Sequence, residues 1–82
     1  MALLDGNGVM GPTWLRVLYH LVRSPKTPTE LATLEKKHLS SVSRTLRELR
    51  DSGLVEYTKS SSRERYYRAT PEGYIILRQF LR

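Results

Sequence analysis

Leu39, Val42, Leu46 and Leu49 recur at i, i+3, i+7 and i+10, the spacing of a stripe that one helix face buries. That stripe predicts a helix over about 39–52. At about 100° per residue, Ser40, Ser43, Arg44, Arg47 and Asp51 fall on roughly the opposite side. Gly53 stands where a left-handed residue ends such a helix, with Leu54 next to pack back on the last turn. At its start His38, Ser40 and Ser41 compete for the cap. Upstream, Trp14, Leu15, Val17, Leu18, Leu21 and Val22 make a broader stripe over 13–23, with Arg16, His20 and Arg23 off its centre. Pro12 is read into its first turn, and Ser24-Pro25 stops it.

Between these two lies the strongest local start signal, Thr27-Pro28-Thr29-Glu30: an N-cap, a proline at the first helical position, and a glutamate placed to reach back. It predicts a short helix over 28–35 with Leu31, Ala32 and Leu34 as its apolar face. After Gly53 the period changes. Residues 54–58 alternate, with Val55 and Tyr57 on one face, and residues 65–69 (RYYRA) read as the return strand of a hairpin across a polar turn. Thr70-Pro71-Glu72 repeats the cap-plus-proline start and opens a final helix over 71–81 carrying Ile75, Ile76, Leu77, Phe80 and Leu81. Gly73 in its first turn lowers helix propensity and leaves room for a close approach to the hairpin. Residues 1–11, with three glycines and no sustained period, read as a flexible arm before a single domain over 12–82.

The 82 residues suffice for one compact domain, mainly α with a small β-hairpin, and the balance of 39% apolar and 27% charged residues suits a globular one. Such a small chain is expected to gain core by pairing with itself. Without cysteine there are no disulfides, thiolate metal sites or thiol chemistry. No apolar run is long enough to span a bilayer and none has the layout of a signal peptide, so the expected location is the cytoplasm. His20 and His38 are too far apart to suggest a metal site, and the serines sit in caps and turns with no acid–histidine partner. No metal, cofactor or enzymatic activity is expected.

Charge adds a location. Of a net +6, the stretch from Lys36 to Arg68 holds nine basic and four acidic residues, a local +5, and the remainder only +1. A basic sum alone fits DNA, RNA or an anionic membrane. Its position decides more. Two helices joined by a few residues cross steeply and present the second outward, and a duplex major groove is wide enough to admit it. The outward face carries Ser40, Ser43, Arg44 and Arg47, hydroxyls for close approach and guanidiniums for guanine or phosphate.

The order helix, short helix, longer helix, basic hairpin, helix is that of a winged helix-turn-helix. Glu30-Leu31-Ala32, Ser41-Val42-Ser43-Arg44-Thr45-Leu46, Leu49, Gly53-Leu54-Val55 and Thr70-Pro71-Glu72-Gly73 resemble the winged-helix transcriptional regulators of the ArsR and MarR type, bacterial and archaeal, over roughly residues 13 to 82. The resemblance implies a homodimer on partly palindromic promoter DNA, with helix 39–52 in the major groove and the hairpin as the wing. Two features depart from the pattern. The usual Leu-Gly-Leu-Ser turn is replaced by Glu35-Lys36-Lys37-His38, and the metal ligands of ArsR sensors and the long dimerising helices of MarR relatives are missing.

The expected contacts to double-stranded DNA are Lys36, Lys37, Ser40, Ser41, Ser43, Arg44 and Arg47, with Lys59, Arg63 and Arg65 from the wing; Arg50 lies nearer the side. Trp14, Leu18, Leu77, Phe80 and Leu81 are the expected dimer interface. The leading expectation is a homodimeric, sequence-specific repressor. The alternatives are a winged-helix protein-interaction module and a binder of RNA or single strands through Tyr57, Tyr66 and Tyr67, residues better explained as cover for the core.

Overall fold

The computed structural model describes residues 12–59 and 65–80. Helices α1 (Thr13–Arg23), α2 (Pro28–Glu35) and α3 (Leu39–Asp51) are followed by strands β1 (Val55–Lys59) and β2 (Arg65–Ala69) and by α4 (Pro71–Phe80). Residues 1–11, where an arm was expected, lie outside the described part. No helix among the described residues is long and apolar enough to cross a membrane.

The core is built around α1, whose Leu15, Val17, Leu18 and Leu21 are all buried. Val42, Leu46 and Leu49 of α3 meet them from one side, Leu77 of α4 from another, and Leu31, Val55 and Tyr67 close the cluster. The i, i+3, i+7 pattern of α3 therefore faces the core as expected, with one exception. Leu39, its first member, is half exposed, because the helix has only begun there and has not yet reached the core. Leu34 is likewise half exposed. The two-turn α2 buries one residue, Leu31, with Ala32 partly buried beside it.

Local chemistry sets the helix ends. In α2 the capping box is complete: Glu30 N–H donates to Thr27 Oγ1 (3.1 Å) and Thr27 N–H to Glu30 Oε1 (2.8 Å). Helix α1 begins one residue later than Pro12, which is its N-cap; His38 takes the N-cap of α3 without a side-chain bond. The exits of α2 and α3 are built alike. Lys37 N–H reaches back to the Ala32 carbonyl (3.0 Å) around Lys36, and Leu54 N–H to the Leu49 carbonyl (2.9 Å) around Gly53. Both middle residues are left-handed, Gly53 at φ 80° and Lys36 at φ 55°. Glycine is the ordinary occupant of such a position, and a lysine there carries strain.

The hairpin pairs antiparallel from Val55↔Ala69 to Lys59↔Arg65. Strand β1 starts one residue later than the expected 54, because the Leu54 N–H is committed to the exit of α3. One pairing had no signature in the side-chain pattern. Lys26, in the α1–α2 linker, exchanges backbone hydrogen bonds with Tyr67 (3.0 and 2.8 Å), so the middle of β2 is paired on both edges. The start of α4 is bound to the same junction. Thr70 donates its hydroxyl to the Gly53 carbonyl (2.7 Å), accepts from Gly73 N–H (3.2 Å), and gives its own N–H to the Leu54 carbonyl (3.0 Å).

Candidate nucleic-acid interface

Helix α3 crosses the body with its apolar stripe inward, so its opposite side is left to solvent. Ser40, Ser41, Ser43, Arg44 and Arg47 are all exposed there. A depression flanks this ridge on each side. One is lined by Lys36, Lys37, His38, Ser41 and Arg44. The other lies between α3, the start of α2 and β2 and is lined by Ser43, Arg47, Arg50 and Arg65, with Leu39 and Tyr67 at its apolar part. The fold thus brings together eight of the expected contacts, Lys36, Lys37, Ser40, Ser41, Ser43, Arg44, Arg47 and Arg65, on or beside one projecting helix. Arg63 and the side chain of Lys59 lie outside the described residues.

Most cations of this ridge are free of internal ion pairs among the described residues. Lys36, Lys37, Arg44 and Arg47 have no carboxylate within salt-bridge distance among the described residues, whereas Arg16 and Arg68 are each ion-paired. Arg16 meets Glu35 at 2.7 Å, Arg68 meets Glu56 across the hairpin at 2.8 Å, and Arg23 lies over the ring of Tyr19. An unpaired cation accepts a phosphate without first giving up an internal partner. The surface around α3 is therefore positive by arrangement as well as by composition.

Glu35 is the residue that sequence reasoning passed over. Its carboxylate is 7% exposed and sits between two residues of α1, bonded to Arg16 Nε (2.7 Å) and paired with His20 Nε2 (2.8 Å). Burial pushes its pKa up, but the hydrogen bonds and charges of Arg16 and His20 outweigh that, and the net shift is downward from 4.5. The cluster fastens the last turn of α2 to α1, immediately before the strained Lys36. The available signal was Arg16 and His20 at i, i+4 on the polar edge of α1, a spacing that presents both to one acid. His20, off the centre of the α1 stripe, is accordingly a structural partner of Glu35.

The expected dimer residues divide. Leu18 and Leu77 are buried within the single chain and leave no surface for a second one, which corrects their assignment. Trp14 and Phe80 stack edge to face at 5.6 Å where α1 meets α4, and Phe80 remains partly exposed together with Tyr74 and Ile75. Leu81 lies outside the described residues. Of the three hairpin tyrosines, Tyr67 is buried, Tyr57 half-buried and Tyr66 exposed, so two of them cover core and no stacking platform is formed. Among the described residues no group of three or more His, Cys, Asp or Glu is placed to hold a metal ion.

A family model described as the MarR family matches residues 10–65, which is the MarR half of the resemblance. Among curated proteins, none matches. Among solved structures, the transcriptional regulator BldR from Sulfolobus solfataricus superposes with a TM-score of 0.79 at 21% identity, over 83% of this chain and 50% of that one. FabT of Streptococcus pneumoniae, crystallised in complex with DNA, gives 0.76 at 22% identity over 80% of this chain and 48% of its own. Wild-type MarR of E. coli in its apo form gives 0.77 at 27% identity over 82% and 52%. The chain spans about half the length of these structures.

Proposed function

The chain belongs to the MarR family, and on that premise we propose that it is a sequence-specific regulator of transcription that binds double-stranded DNA as a homodimer, most simply a repressor occluding a promoter. The observation that carries this reading is the exposed, unpaired basic ridge of α3 standing between two basic depressions. A helix of that kind suits a major groove, with Ser40, Ser43 and Arg44 nearest the base edges and Lys36, Lys37, Arg47 and Arg65 placed for the flanking phosphates. Lys59 and Arg63 of the wing extend the contact along the backbone or into the minor groove. Two-fold symmetry would set two copies of α3 in successive major grooves about 34 Å apart.

Support for pairing comes from Tyr74, Ile75 and Phe80, apolar side chains that α4 leaves at the surface, with Trp14 behind them. In this reading the expected interface is amended to Trp14, Phe80 and Leu81 with Tyr74 and Ile75, and the protein acts in the cytoplasm without metal or cofactor. FabT, a neighbour of the same fold, was crystallised with DNA, which agrees with duplex as the ligand.

The test is a titration with duplex DNA at several salt concentrations, beside light scattering. Six to ten phosphate contacts per dimer predict a loss of about 10³–10⁵ in affinity between 50 and 200 mM salt. Scattering should give about twice the 9.5 kDa of the chain. Failure to bind any duplex at low salt rejects the DNA reading, and a species that stays monomeric on DNA rejects the symmetric one.

A further inference from the structure

At the junction of α3 and the hairpin, one aromatic ring holds two cations from different elements. The guanidinium of Arg65, on β2, lies 4.9 Å from the centre of the Tyr57 ring, and that of Arg50, in the last turn of α3, lies 5.4 Å from it. The ring is fixed in turn. Tyr57 is paired through its backbone with Tyr67, and the two rings pack with centroids 5.4 Å apart. Tyr67 is itself buried and joined to Lys26 on its other edge.

Two like charges held near one ring repel each other, and the attraction of each for the ring's π electrons offsets part of that cost. Little else does. Arg65 has no carboxylate partner among the described residues, and the one nearest Arg50 is its exposed neighbour Asp51, at the 4.0 Å limit of an ion pair. Both arginines, with Arg47 and Ser43, line the same depression beside α3. Two cations thus share one ring and one depression with only a marginal carboxylate partner.

We propose that this junction is a seat for one DNA phosphodiester, gripped by Arg50 and Arg65, and that Tyr57 is the positioning residue that holds both guanidiniums for it. The proposal rests on the DNA reading above and adds to it a contact, Arg50, and a residue, Tyr57, that acts without touching the ligand. A tetrahedral phosphate in the depression that both residues line can accept from two forked guanidinium donors at once, which lysine in either position does not reproduce. Because Arg50 comes from α3 and Arg65 from the wing, the seat fixes the wing's register relative to the recognition helix through a single backbone group.

The experiment is a titration of wild type, Arg50→Ala, Tyr57→Phe, Tyr57→Leu and the Arg50→Ala/Tyr57→Leu double variant against one duplex at several salt concentrations, with thermal unfolding of each. Arg50→Ala should weaken binding about tenfold and lower the salt slope by about one ion per subunit, with folding intact because Arg50 is exposed. Tyr57→Phe keeps the ring and should bind within about twofold of wild type. Tyr57→Leu should lose about as much as Arg50→Ala, and the double variant little more than the larger single loss. The proposal is overturned if wild type binds with full salt dependence while Arg50→Ala leaves slope and affinity unchanged. It is equally overturned if the Tyr57→Leu and Arg50→Ala losses simply multiply, or if Tyr57→Phe loses as much as Tyr57→Leu. Should Tyr57→Leu fail to fold, Arg50→Ala and Tyr57→Phe decide alone. A wild type that binds no duplex fails earlier, at the DNA reading, and takes the seat with it.

Discussion

Replacing Gly73 by alanine sets two physical effects of opposite sign against each other. Gly73 is in the first turn of α4, where alanine is intrinsically better by up to about 1 kcal/mol. Its α-carbon, however, faces the chain leaving α3. An added Cβ would fall inside van der Waals contact with the Leu54 carbonyl oxygen and 3.1 Å from Leu18 Cδ1. Neither neighbour yields freely. The Leu54 carbonyl accepts from Thr70 N–H, and Thr70 also holds the Gly53 carbonyl, so moving α4 away loosens both bonds. Overpacking of this kind costs about 1–3 kcal/mol, and a weakened hydrogen bond adds about 1. The net expectation for Gly73→Ala is a loss of about 2 kcal/mol, or a midpoint lower by about 8–16 °C in a chain of this size. Urea and thermal unfolding at one fixed protein concentration, followed by circular dichroism, would measure it. A variant as stable as wild type, or more so, would show that propensity governs this turn and that the close approach is not structural.

Lys36→Gly should raise stability by about 1 kcal/mol by relieving the left-handed lysine at the α2 exit, while weakening duplex binding; a drop in unfolding midpoint would contradict the strain assigned there. Glu35→Gln should destabilise by about 1–3 kcal/mol at neutral pH. Because the folded-state pKa of Glu35 lies below its unfolded value, its contribution is present above about pH 4.5 and is lost as pH falls through the folded value. The stability gap between wild type and Glu35→Gln should therefore shrink below pH 4.5, and a gap constant from pH 7 to 3 would contradict the charged cluster. Arg44→Ala should cost about 1–3 kcal/mol on the preferred site and much less on scrambled duplex. Equal losses on both DNAs would move Arg44 from base reading to phosphate binding.

The elements were legible because each rests on signals local to it. The α3 stripe, the capping box at Thr27 and Glu30, the repeat of that start at Thr70 and the glycine at 53 all act within one or two turns. Their physical causes are visible in adjacent residues. What escaped was set by distance along the chain. Nothing near Glu35 marks an acid that Arg16 and His20, fifteen or more residues earlier, will enclose. The Lys26–Tyr67 pairing is made by backbone groups alone and leaves no trace in side-chain pattern. Periodicity also gives the angle of an apolar residue around a helix, not its depth along the axis, which is why Leu39 and Leu34 were placed too far inside. Nor does it say whether an apolar residue meets its own chain or another, the ambiguity that put Leu18 and Leu77 on the wrong surface. For the candidate interface, the cations on α3 were readable as a cluster. The aromatic ring that gathers Arg50 and Arg65 was not, since it comes from the hairpin and had a sufficient explanation as core.

The reciprocal bonds between Lys26 and Tyr67 also have a topological meaning. They close the chain into a ring whose neck is two hydrogen bonds wide, and every residue proposed to touch DNA, from Lys36 to Arg65, is carried inside that ring. Helices α1 and α4 remain outside it as a base. Closing so long a ring is entropically late work for a folding chain, so the neck should form after the hairpin and helices it encloses. Once shut, it adds a backbone tie to the core that α1 and α4 already share with α3 and the hairpin. Slow exchange of the Lys26 and Tyr67 amides with solvent deuterium would then report whether the head is latched to its mount.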